Sequence, residues 1–147
     1  MGENEGTLEF EFVPYDAWNW ELIVSAWAKG FSGVSAAYFS VSELATFAET
    51  LTSYPLGRPV TIASGYGGVG ETLNEHVGIV IQQVTELGQI AVMVHLAEAD
   101  PQRLDSRREV RLELLTTYEH LRGFGQDLAR ALQGLEKVVT LKGEQMI

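Results

Sequence analysis

The chain has 147 residues, of which 46% are hydrophobic and 20% charged, and it carries a formal net charge of −10. That length suits one domain with its own core and leaves little room for two, and the composition is too apolar for a disordered chain. The acidic balance argues against a surface for nucleic acid or anionic membrane, because both need cationic side chains facing phosphate.

We therefore expect a single globular domain over residues 1–147. Its charge is unevenly placed: residues 1–100 hold 13 Asp and Glu against 2 Lys and Arg, whereas residues 101–147 hold 7 against 8. Such asymmetry can steer a basic partner, and it is also an ordinary route to solubility. The cysteine count is 0, which removes disulfide frameworks, thiolate zinc sites and cysteine nucleophiles. No apolar run approaches the roughly 18 residues of a membrane span. The opening Met1-Gly2-Glu3-Asn4-Glu5-Gly6 is acidic where a secretory signal would be basic and then apolar. The expectation is a cytoplasmic protein with no membrane partner.

Thr7 to Val13 alternates strictly, Leu8, Phe10 and Phe12 against Glu9 and Glu11, which is the pattern of a half-buried strand. After a turn around Pro14-Tyr15-Asp16, the aromatic and β-branched stretch Trp18 to Ala28 is joined by Lys29-Gly30 to Phe31 to Phe39, predicting a hairpin. Ser40-Val41-Ser42-Glu43 is a capping box. Val41, Leu44, Ala45, Phe47, Ala48 and Leu51 then recur at helical spacing until Tyr54-Pro55, with Gly57 just beyond.

Pro59 to Ser64 predicts a short strand before a glycine-rich loop, Gly65 to Gly70. Val77 to Thr85 and Gln89 to Ala97, joined by Glu86-Leu87-Gly88, read as a hairpin near a sheet centre. Beyond the polar loop Glu98 to Arg107, Arg108 to Leu115 alternates again. Thr116 to Glu119 repeats the capping signature, and Leu121, Phe124, Leu128, Ala131, Leu132 and Leu135 form one stripe of a helix ending near Gly134. Gly123 and Gly125 inside it imply a bend or a close neighbour. Val138 to Leu141 can add a short edge strand. The order is β-β-β-α-β-β-β-β-α, and short connections between successive strands make neighbours antiparallel. The expected class is α+β, a mostly antiparallel sheet of about six to seven strands covered by two amphipathic helices.

Gly65-Tyr66-Gly67-Gly68-Val69-Gly70 satisfies the dinucleotide letter pattern, but Glu71-Thr72-Leu73-Asn74 leads into a β-rich run with no helix to hold a pyrophosphate. No cofactor is expected. His76, His95 and His120 lie 19 and 25 residues apart, without the short spacing of zinc sites, so no metal site is expected either. His95 falls on the side of its strand away from Ile90, Val92, Val94 and Leu96, which reads as a structural histidine on the second sheet face. The carboxylate pairs Glu9 with Glu11, Glu71 with Glu75 and Glu98 with Asp100 read as solvated charge. Trp18 and Trp20 share one face of their strand and Trp27 the other, and at least two of the three are expected in the core. No GxSxG elbow appears.

The tryptophan-bearing strand Trp20 to Val24, the capped helix opening Ser42-Glu43-Leu44-Ala45-Thr46-Phe47, the strand Gly88 to Val94 and the closing strand and helix Val110 to Leu132 together resemble the WapI-type immunity proteins and related small bacterial domains. The likeness covers most of the chain through element order and a few aromatic and apolar positions. It implies an α+β protein without catalytic residues that binds and neutralises a toxin. Gly65 to Gly70 has no place in that pattern. Carboxylates can imitate the phosphate that a cationic nuclease cleft expects. The expected partner is thus a basic, toxin-like protein, met by Glu9, Glu11 and Glu21, on or near the exposed face of the first hairpin, and secondarily by Glu71 and Glu75. The alternatives are a small-molecule or enzymatic site near the Gly65 to Gly70 loop and His76, and a homodimer formed through an exposed tryptophan face.

Overall fold

A computed structural model describes residues 4–66, 74–99 and 107–144. Alternation carries most of it, because a strand whose odd and even residues differ in polarity can bury only one face. The elements are β1 (Asn4–Pro14), β2 (Asn19–Ala28), β3 (Phe31–Ser40), α1 (Val41–Thr50), β4 (Val60–Tyr66), β5 (Asn74–Gln83), β6 (Ile90–Ala99), β7 (Arg107–Thr116), α2 (Tyr118–Leu132) and β8 (Val138–Glu144). The α+β class, the order and the antiparallel pairing are as expected, and the closing segment is an eighth strand at a sheet edge.

The strands divide into two four-stranded sheets, β3-β2-β1-β8 and β4-β5-β6-β7. Sequence alternation reports which face of a strand is buried but not which strand pairs with which, so one sheet and two sheets read alike. The chain passes from the first sheet to the second at α1, between β3 and β4, and returns at α2, between β7 and β8. Instead of pairing with β4 along its length, β3 lies over the inner face of the second sheet and touches all four of its strands. Two side chains tie it there: Ser35 Oγ donates to the carbonyl of Ala97 at 2.8 Å, and Ser64 Oγ to that of Tyr38 at 2.6 Å. On the other flank, Thr116 Oγ1 donates to the Lys142 carbonyl at 3.1 Å, joining β7 to β8.

One core fills the space between the sheets and the helices. Leu8, Phe10 and Phe12 meet Leu22 and Val24 from the first sheet, and Ile79, Ile81, Val92 and Val94 from the second. The Phe10 ring is the junction, 6.4 Å from Phe47 of α1 and 5.2 Å from Phe124 of α2. Each fully buried Leu, Ile or Phe contributes about 1.5–3 kcal/mol.

The first cap forms where it is expected, the Glu43 amide donating to Ser40 Oγ at 3.0 Å. The second is displaced by one residue. Thr116 continues the inward alternation of β7 and is fully buried, so Thr117 becomes the cap and accepts from the His120 amide at 3.2 Å. The expectation for the tryptophans needs correction too. Only Trp20 packs against the core, edge-on to Phe12. Trp18 precedes β2 in a turn held by Asp16, whose Oδ1 accepts from the Trp18 and Asn19 amides at 2.8 and 2.7 Å, and Trp27 falls on the outward parity. Among the described residues no helix is long and apolar enough to cross a membrane.

Candidate functional site

Two outward faces carry the chemistry-bearing side chains. On the first sheet, register sets the outward residues in rows: Thr7-Trp27-Ser32, Glu9-Ser25-Val34, Glu11-Ile23-Ala36 and Val13-Glu21-Tyr38. Glu9 and Glu11 are therefore consecutive outward residues of β1, and Glu21 lies diagonally from Glu11 on β2, a separation of about 7–8 Å between backbones. All three carboxylates stand on one face. Around them, Trp27 is 44% exposed, Val34 64% and Tyr38 49%, the last with Tyr15 edge-on at 5.3 Å. Lys137 Nζ lies 3.6 Å from Glu11 Oε2 at the β8 side, an exposed pair that contributes about 0–1 kcal/mol, and Lys142 of β8, paired with Thr7, is a second exposed cation on this face, so the carboxylates outnumber the lysines by one.

The second sheet turns outward two further rows, Ala63-Gly78-His95-Arg111 and Thr61-Val80-Met93-Glu113. His95 is only 7% exposed although it belongs to the outer face. Its Nδ1 stands 2.6 Å from Glu75 Oε1 and its Nε2 2.9 Å from Glu109 Oε1. A neutral imidazole has one N–H, whereas an imidazolium has two, so the charged ring satisfies both ionised carboxylates at once. Arg107 completes the cluster, its Nε donating to Glu109 Oε2 at 3.2 Å and its Nη2 to the Glu75 carbonyl at 2.9 Å. The hydrogen bond from His95, reinforced by the positive charges of Arg107, His95 and Arg111, holds the Glu109 carboxyl below its ordinary value.

Glu75 reaches this face through an irregularity in register. Ser64 pairs with Val77 and Gly65 with Glu75, so β5 carries one extra residue, and a bulge of this kind re-aims the side chains beyond it. The Glu75 carboxylate then lies over Gly78, where a Cβ would collide with it. Because Glu75 and Glu109 address opposite ring nitrogens, these three residues do not converge on one point as metal ligands must.

Of the residues expected to meet a partner, the structure brings Glu9, Glu11 and Glu21 together and sets Glu75 apart on the other sheet, bonded to His95. Glu71 lies outside the described residues, as do positions 67–70 of the glycine-rich loop; Gly65 and Tyr66 belong to β4. His76, beside that loop in sequence, is buried. Sequence reasoning did not single out Glu109. Its link to His95 depends on the β6 to β7 register, which alternation within either strand does not reveal. No family model, no curated protein and no solved structure matches the chain.

Proposed function

We propose that the protein is a non-enzymatic binding module that docks a basic protein on the outer face of its first sheet, as the resemblance to toxin-neutralising immunity proteins implies. The observation that carries this reading is the placement of Glu9, Glu11 and Glu21 on one exposed face among Trp27, Val34 and Tyr38. Acidic groups around partly exposed aromatic and branched side chains combine electrostatic steering with apolar anchors, the two features of a specific protein interface. Trp27 and Val34 forgo on this face much of the burial energy that the core residues gain. A covering partner would supply it.

A second copy of the chain is a poorer occupant. Pairing the face with itself brings carboxylates toward their own counterparts, whereas Lys and Arg of a basic partner complement them. Salt should matter accordingly, since the Debye length falls from about 30 Å at 0.01 M to about 8 Å at 0.15 M ionic strength.

The test is capture of partners by the tagged protein from its native cell at low and high salt, beside a variant carrying Glu9→Lys, Glu11→Lys and Glu21→Lys. The reading expects a basic protein that salt releases and that the triple variant loses by at least about tenfold in affinity. Binding of the purified partner should also shift the tryptophan fluorescence, through Trp27. A partner held equally by the variant places the interface elsewhere, and the absence of any protein partner at low salt leaves the face as a solvated surface and ends the proposal.

A further inference from the structure

The second sheet carries a groove of about 510 Å³ on its outer face, remote from the acidic face of the first sheet. Its shape follows from residue size. Ala63 and Gly78 are direct cross-strand neighbours, and their small side chains leave a hollow beside the larger Val80 and Met93 of the adjoining row. The Glu75 carboxylate over Gly78 closes one end, and its bond to His95 holds that wall in place. Both His95 nitrogens are occupied, so a ligand here meets the imidazole as part of the wall and not as a hydrogen-bonding head.

Recognition chemistry comes from β7. Arg111 follows His95 in the same row, its side chain is 73% exposed, and its Nε is 4.0 Å from Glu109, the outer limit of an ion pair. Most of the guanidinium's five donors therefore remain open to a planar anion among the described residues. Glu113, two residues on in β7 and also lining the groove, opposes a second negative charge on the ligand. The volume lies within the range of small-molecule sites, which combine an apolar lining with a few polar groups.

We infer that this groove binds a small organic monocarboxylate, its apolar body against Ala63, Val80 and Met93 and its carboxylate paired with Arg111. The proposal does not depend on the docking face and can fail without it.

Met93 supplies the probe, since the chain has 3 methionines and substitution of Met93 by Leu assigns its signal. Protein carrying ¹³C-methyl methionine is titrated with 3-phenylpropionate and, separately, with its neutral amide. A saturable shift of the Met93 methyl, with Kd of about 1 mM or tighter, is expected for the carboxylate. The amide, and the carboxylate against Arg111→Gln, should each bind about tenfold or more weakly, because the bidentate charge-assisted pair is lost. Ala63→Leu should abolish the shift by filling the hollow; Arg111 is exposed, so its variant remains informative should the filled one fold poorly. No saturable shift up to about 10 mM, equal binding of acid and amide, or a shift that survives Arg111→Gln overturns the inference.

Discussion

The carboxylate of Glu75 that meets His95 Nδ1 at 2.6 Å occupies the space above Gly78 that any side chain at that position would need. The glycine is thus a condition of the contact. A Glu side chain is flexible and can swing aside, so Gly78→Ala should cost little as a steric clash and about 1 kcal/mol or more as a lost charge-assisted hydrogen bond. In a Glu75→Ala background the obstacle is gone, and Gly78→Ala should become neutral or stabilise by up to about 1 kcal/mol, since glycine is unfavourable within a strand. Urea unfolding of the four proteins measures this coupling. Equal effects of Gly78→Ala in both backgrounds would mean that Glu75 does not depend on the glycine.

Glu109 makes the acid limb of stability depend on the same cluster. Its carboxyl is held below the ordinary glutamate value, first by the hydrogen bond from His95. A carboxyl whose folded value lies below its unfolded one binds more protons when unfolded, so its contribution is fully present above the unfolded value and is lost as pH falls through the folded one. Urea midpoints followed from pH 7 downward should fall less steeply below about pH 4.5 in Glu109→Gln than in the parent. Parallel profiles would show that the carboxylate gains nothing from its partners.

How far these features could be read from sequence depends on how local their causes are. Lys29 and Gly30 take positive φ of 49° and 88°, as a two-residue hairpin turn requires, and Ser40 caps its own helix three residues away. Both are legible because the partners are near in sequence. The three carboxylates of the first sheet are legible for a related reason: alternation across one tight hairpin sets their parity. The His95 cluster is not. Glu75 reaches the outer face only through the extra residue in β5, which breaks the parity by which its side would be inferred, and Glu109 lies on a separate strand whose register with β6 alternation does not give. The two-sheet division is hidden for the same physical reason, since inward residues of either sheet share one core.

Gly123 and Gly125 separate two meanings of glycine within one helix. A Cβ on Gly123 would meet nothing within 4 Å, while one on Gly125 would stand 2.8 Å from the carbonyl oxygen of Ala48 and 3.0 Å from Thr52 Cγ2. Gly123→Ala should therefore stabilise by up to about 1 kcal/mol through helix propensity alone. Gly125→Ala gains the same propensity but must push α2 away from the α1 backbone, and overpacking of about 1–3 kcal/mol outweighs it. Thermal or urea unfolding should show opposite signs for the two variants. Two stabilising substitutions would mean that the helices can separate without cost.

Tyr118 joins three parts of the chain at the start of α2. Its hydroxyl accepts from the Leu56 amide at 2.9 Å and donates to Gln83 Oε1 at 2.5 Å, and its ring meets that of Tyr54 at 4.7 Å. Tyr118→Phe keeps the ring contact and removes both hydrogen bonds, leaving a partly buried amide and a side-chain oxygen to find other partners. The expected loss is about 1–3 kcal/mol. The hydroxyl holds the segment after α1 against the end of β5, so the loss should also appear locally. Hydrogen exchange at the Leu56 amide should quicken by more than the global destabilisation explains, while amides at the centre of the second sheet, such as that of Ile79, should change only with global stability. Unchanged Leu56 exchange alongside unchanged stability would show that water replaces the hydroxyl at no cost, and that the α1 to β4 connection is held by its apolar contacts through Leu56 instead.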